Sequence, residues 1–261
     1  MRSIAITSGK GGIGKSPAAI NLGILLSQAG KKTVVIDADV SMANVGIMLG
    51  VERAPISLHN VLMGESDIMD AVYEGPSKMK YVPSGLSIER VKKIDFKNFG
   101  SAVTELETTF DYVLIDSPPG LHKQEELIIR SCRELLLLVA PEPPALADAL
   151  KVKNFAEKNG VKVLGAVVTR ALHDAAEIKQ PDLEAVLGVK IIAEIPEDVE
   201  VRRSSALQQP LVIRAPNSAA AKAYRKIASF LAGEALPDET KARKGFLDGI
   251  IGSINSLFGK K

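Results

Sequence analysis

The sequence predicts an α/β chain: a mostly parallel sheet covered by helices on both faces, three layers in all, followed by a C-terminal amphipathic helix. Three observations carry that prediction. Short apolar runs rich in β-branched residues alternate with amphipathic stretches, the βαβ pattern of a parallel sheet. The run Leu135-Leu136-Leu137-Leu138-Val139 is apolar without interruption, as a strand buried on both faces would be, although periodicity alone fits a short buried helix equally well. Beyond a polar linker, the chain closes on one apolar stripe at helical spacing.

The first strand is expected over residues 3–8, where Ser3-Ile4-Ala5-Ile6-Thr7-Ser8 is short and β-prone. A glycine-rich stretch follows, Gly9-Lys10-Gly11-Gly12-Ile13-Gly14-Lys15-Ser16. Ala18, Ala19, Leu22, Leu25 and Leu26 then recur at helical spacing as far as Gly30, a natural helix stop. Strand, glycine loop and helix are in the order that a phosphate-binding loop requires. The frame Gly9, four residues, Gly14, Lys15, Ser16 has P-loop spacing, in which glycines let backbone N–H groups turn inward around phosphate oxygens. The helix N-terminus adds its partial positive charge. In that motif Lys15 reaches the terminal phosphates and Ser16 binds Mg²⁺, so the expected cofactors are a nucleotide and Mg²⁺ on a P-loop three-layer fold.

Further strands are expected over 33–37, 81–83, 112–116, 135–140, 163–169 and 191–195, with a helix over 218–231. Two of these strands end in carboxylates. Val34-Val35-Ile36-Asp37-Ala38-Asp39 places two acids two residues apart, and in a continuing strand both would face one way, so either can look toward the phosphates. Capping or turn chemistry is the structural alternative for Asp37. Val113-Leu114-Ile115-Asp116 is an apolar strand ending in an acid, the Walker B arrangement, and Asp116 can hold Mg²⁺ through a coordinated water.

Composition bounds the rest. With 261 residues, 46% of them hydrophobic, the chain suffices for one large α/β domain, expected over 1–232. A net charge of +2 gives the whole molecule no electrostatic pull toward nucleic acid, which is not expected as a partner. The single cysteine, Cys132, excludes an internal disulfide, a Cys-x-x-Cys pair and a cysteine-ligated cluster of the chain's own, and fits a reducing cytosol. No signal-peptide pattern opens the chain, and no apolar run approaches the ~20 residues that span a bilayer, so the body is expected to be soluble and cytoplasmic. His59, His122 and His173 lack metal-like spacing and are expected on the surface.

The segment from Lys10 to Ser16, Lys-Gly-Gly-Ile-Gly-Lys-Ser, resembles the deviant Walker A family, specifically its MinD/ParA branch. The likeness runs nearly end to end, through Pro196-Glu197-Asp198-Val199-Glu200-Val201-Arg202-Arg203 and Ala215-Pro216-Asn217-Ser218. It implies an ATPase that converts ATP and water to ADP and phosphate, slowly without a partner, and that forms an ATP-dependent homodimer in which Lys10 contacts phosphates across the interface. By the same resemblance Asp39 orients the attacking water, Asp37 supports the metal's water shell, and Gly120 in Pro118-Pro119-Gly120 lends an N–H to the γ-phosphate. Thr169, Arg170, Pro196 and Asp198 would embrace adenine, Arg170 stacking on the base and Asp198 accepting from its amino group. Asp148 matches a position where members of the family engage a protein partner. The missing cysteines separate the chain from the related iron–sulfur scaffold ATPases and the nitrogenase iron protein. One departure concerns Pro17, which stands where the family has threonine. Proline is accepted in a first helical turn but offers no N–H to the α-phosphate.

Residues 233–243 read as a linker and 244–261 as a separate tail. There Phe246, Leu247, Ile250, Ile251, Ile254, Leu257 and Phe258 form one apolar stripe, flanked by Lys241, Arg243, Lys244, Lys260 and Lys261. Such a helix lies on an anionic membrane or docks on protein, and the resemblance favours the membrane. The expectation is a cytoplasmic ATPase, peripheral at the inner face of the cell membrane, that positions an unidentified protein partner as in division-site placement. Its rivals are a ParA-type partitioning ATPase that binds DNA nonspecifically and an ATP-binding adaptor with weak turnover.

Overall fold

The computed structural model describes residues 1–51, 54–85 and 94–236. The chain begins with β1 (Arg2–Ser8), α1 (Lys15–Gln28) and β2 (Thr33–Asp37), then the short helices α2 (Val45–Met48) and α3 (Leu58–Leu62) and the strands β3 (Tyr73–Glu74) and β4 (Lys80–Val82). Next come α4 (Phe99–Thr109), β5 (Tyr112–Asp116), α5 (Lys123–Arg130), β6 (Glu134–Val139), α6 (Pro143–Lys158) and β7 (Lys162–Ala171). α7 (Gln180–Leu187), β8 (Ile191–Pro196), α8 (Val199–Ala206), α9 (Leu211–Arg214) and α10 (Ala219–Ala232) complete the described part.

The strands form one sheet in the order β3-β4-β2-β5-β1-β6-β7-β8. Every pairing is parallel except that of β3, a two-residue antiparallel edge. Alternation across each strand feeds two faces. Ile4, Ile6, Leu114, Leu136 and Leu138 face α1 and α10 in one core. Ala5, Val113 and Ile115 face the opposite side, as do Leu135, Leu137 and Val139. The apolar run is therefore a strand covered on both faces, and the three-layer reading holds.

Strand order positions the site. β5 lies between β1 and β2, and Asp37 is the register partner of Asp116, so the carboxyl ends of three adjacent strands converge, where open α/β sheets bind ligands. The last described helix begins one residue later than expected because Ser218 is its cap, accepting the Ala221 N–H at 3.2 Å. His59 is a correction: it is 1% exposed, buried because α3 packs inward instead of lying on the surface. Among the described residues no helix is long and apolar enough to cross a membrane. The expected tail over 244–261 and most of its linker lie outside the described residues.

Candidate nucleotide site

The glycine loop joins β1 to α1 and is shaped by two constraints. Gly14 has φ 90°, a left-handed conformation that only glycine adopts without strain. A Cβ at Gly9 would come within 2.4 Å of the Asp148 backbone, so the loop presses directly on α6. Gly14 caps α1, and the Ala18 N–H returns to its carbonyl at 3.0 Å. The N–H groups of Lys15 and Ser16 precede the first helical bond and are free to meet phosphate. Pro17 supplies none, and the helix continues through it undisturbed.

Lys15 is 8% exposed. Burial lowers the pKa of its ammonium, while the charges of Asp116, Asp39 and Glu125 oppose that fall. Asp116 is 1% exposed, and among the described residues neither of its oxygens meets a donor in hydrogen-bonding geometry. Burial pushes its pKa up to about 7. The neighbouring Ser16 hydroxyl and the Lys15 charge restrain that rise, and the charge of Asp39 adds to it. An unsatisfied buried carboxylate is costly; beside a serine hydroxyl it is the hard oxygen set that suits Mg²⁺. The residues present therefore fit the ion.

Asp37 and Asp39 part company. β2 ends at Asp37 and the chain then turns, so the two acids do not share a face as they would in a continuing strand. Asp37 is fully buried and accepts the N–H groups of Asn44 and Val45 at 2.9 Å and of Asp39 at 3.3 Å. Its pKa is raised well above the ordinary carboxylate value by burial and by Asp116, against those N–H bonds. Asp37, expected to support the metal's water shell, ties the turn after β2 through these bonds and lies beside Asp116, its register partner. Asp39 is half-buried and accepts the Met42 N–H at 3.0 Å; its charge acts on both Lys15 and Asp116. The Gly120 N–H donates to the Ser8 carbonyl at 3.0 Å, so it is engaged within the protein instead of open toward a phosphate.

Lys10 points away from its own loop and pairs with Glu142 at 2.9 Å, both side chains about half exposed. Such a pair contributes only ~0–1 kcal/mol, so the lysine is easily released. Asp148 is paired with Lys151 at 2.9 Å.

Gly12, Ile13, Gly14 and Pro17 share a cleft of about 210 Å³ with Thr169, Arg170, Pro196 and Asp198. The four expected base-pocket residues are thus brought against the phosphate loop. Arg170 is tied to Glu197 at 3.1 Å, and Asp198 accepts the N–H groups of Glu200 at 2.9 Å and Ala220 at 3.2 Å. Tyr224 and Arg202 also line this cleft. Sequence reasoning missed Tyr224, whose place in α10 marks it only as part of a buried stripe.

A family profile described as ParA, NUBPL iron-transfer P-loop NTPase, matches residues 1–232. The chain belongs to the ParA family of P-loop NTPases. An uncharacterized ATP-binding protein of Methanocaldococcus jannaschii is 36% identical over 259 residues, covering 99% of this chain and 97% of its own length. The solved septum site-determining protein MinD of Pyrococcus horikoshii, complexed with Mg-ADP, is similar at 33% identity and TM-score 0.85, with 88% of this chain and 95% of that one covered. A chain of the MinC:MinD cell division protein complex from Aquifex aeolicus matches at 28% identity and TM-score 0.80, covering 91% of this chain and 98% of that one. Within the ParA family the chain therefore stands among MinD-like ATPases, as the resemblance implied.

Proposed function

We propose that this ParA-family protein is an ATPase that dimerises on ATP, binds an anionic membrane reversibly and positions a protein partner. The observation that carries the nucleotide chemistry is Asp116, buried beside the Ser16 hydroxyl and the Lys15 ammonium. Ser16 and Asp116 would hold Mg²⁺, directly or through water, and the ion would neutralise phosphate charge. The chain's own residues supply the rest: backbone N–H groups of the loop grip the phosphates, Lys15 offsets charge as the bond to the γ-phosphoryl group loosens, and Asp39 aligns the water. Thr169, Arg170, Pro196 and Asp198 enclose the base. Lys10 leaves Glu142 and reaches the phosphates of a second copy, which joins turnover to dimerisation. The family description mentions iron transfer, but Cys132 is the single cysteine, buried with its thiol donating to the Ile128 carbonyl, and this supports a role without iron held on the chain's own thiols.

The membrane reading rests on the apolar stripe from Phe246 to Phe258 and its basic flanks. One such helix binds a membrane only marginally. Two on one dimer make the second insertion effectively intramolecular, raising avidity by ~10² to 10⁴. Sedimentation with anionic liposomes should therefore require Mg·ATP and be lost on truncation after Ala242 or on Ile251→Glu, with ATP-dependent dimerisation intact. Equal liposome recovery of intact and truncated protein would contradict the membrane role, and ATP-dependent recovery on duplex DNA in its place would favour the partitioning reading.

A further inference from the structure

We infer that His59 is a positioning residue that sets the pose of the Asp39 loop, a role that rests on reading Asp39 as the group that aligns water. His59 is the second residue of α3 and is almost fully buried. Its Nε2 lies 3.3 Å from the Val40 carbonyl oxygen. A carbonyl only accepts, so Nε2 carries the hydrogen and donates it. The preceding carbonyl, that of Asp39, accepts the Ser84 hydroxyl at 3.2 Å. Two consecutive carbonyls, one on each side of the Val40 residue, are therefore held by buried side-chain donors from outside the loop.

Those donors form one unit. The His59 N–H donates to the Ser84 carbonyl at 3.2 Å and the Leu58 N–H to the Pro83 carbonyl at 2.8 Å, so the start of α3 is laced to residues 83–84. A Cβ at Gly85 would lie 2.8 Å from His59 Nδ1 and 2.7 Å from Ser57 Oγ, which shows how closely the backbone after Ser84 lies against the ring. On the inner side the Asp39 N–H is held by Asp37 Oδ1. Asp39 is thus fixed through its backbone from two directions: the end of β2 holds its N–H, and the Ser84–His59 unit holds its carbonyl and the next. A histidine kept only for packing would have no need to direct Nε2 at this loop. Groups that align a reactant must be held by a supporting shell, because small displacements are costly.

The test compares His59→Asn with His59→Gln in the full-length protein. Glutamine places its amide nitrogen as many bonds from the backbone as Nε2; asparagine is one bond short and cannot reach Val40. Steady-state phosphate release should show kcat in His59→Asn reduced roughly tenfold to a hundredfold, with KM for Mg·ATP within about twofold. His59→Gln should recover most of the rate. Ser84→Ala, a smaller change, should lower kcat in the same sense and provides the readout if His59→Asn does not fold. Asp39→Ala is measured alongside, and adding His59→Asn to it should slow turnover no further. Wild-type kcat in His59→Asn, or equal losses in the two His59 variants, would overturn the positioning role while a slow Asp39→Ala left the reading of Asp39 standing. Wild-type turnover in Asp39→Ala would overturn both.

Discussion

Asp37 and Asp116 end neighbouring strands in register and are both buried, yet their surroundings make them different acids. Asp37 accepts three backbone N–H groups, which favour its charged form, but burial and the Asp116 charge outweigh them and hold its pKa well above the ordinary carboxylate value. Folding raises the Asp116 pKa from 3.8 to about 7. Between those values the native state binds more protons than the unfolded chain, and stability falls as pH rises through that window, levelling off above it. Urea unfolding without nucleotide or divalent cation should show this decline from about pH 4 to about pH 7 relative to Asp116→Asn, in which the contribution is absent. Identical pH profiles for the two proteins would contradict the raised pKa of Asp116. Saturating Mg·ATP should abolish the difference in the wild type, because cation binding requires the ionised carboxylate.

At the scale of elements, α1 sets the phosphate-binding end. Its first turn offers the N–H groups of Lys15 and Ser16, but Pro17 withholds the third donor. Pro17→Thr restores that donor and adds a hydroxyl, and a hydrogen bond to a charged group contributes ~1.5 to 3 kcal/mol. Calorimetry should therefore find ATP bound roughly tenfold or more tightly in Pro17→Thr; an unchanged Kd would mean that other contacts already replace the donor. Much of this architecture was legible in the sequence because its signals are local. The glycine loop lies between a β-prone run and a helical pattern, and Leu135 to Val139 is apolar throughout, as a strand covered on both faces is. The failures arise where tertiary placement decides. The strand ending at Asp37 and a strand continuing to Asp39 have the same sequence pattern, but only the former separates the two acids. His59 sits in a segment too short for periodicity to reveal its packing, and Tyr224 reaches the cleft because α10 packs on β8. That Thr169, Arg170, Pro196 and Asp198 would be brought together was expected through the family resemblance, and they line one cleft, whereas the ties of Arg170 and Asp198 to Glu197, Glu200 and Ala220 depend on how β7 and β8 end.

At the scale of the whole molecule, the half-exposed Lys10 is the group that would make two copies one enzyme. Its pairing with Glu142 is a surface contact, weak enough to be exchanged for phosphates of a neighbouring subunit. Since turnover dissolves the ATP-bound state, the dimer is best observed where hydrolysis is blocked. Light scattering of Asp39→Ala with Mg·ATP and with Mg·ADP, beside the double variant Asp39→Ala/Lys10→Ala, tests the shared site most directly. The expected result is a dimer for Asp39→Ala in Mg·ATP alone and a monomer for the double variant, whose nucleotide affinity as a monomer is retained. A monomeric mass for Asp39→Ala in saturating Mg·ATP, or an equal dimer once Lys10 is removed, would contradict it.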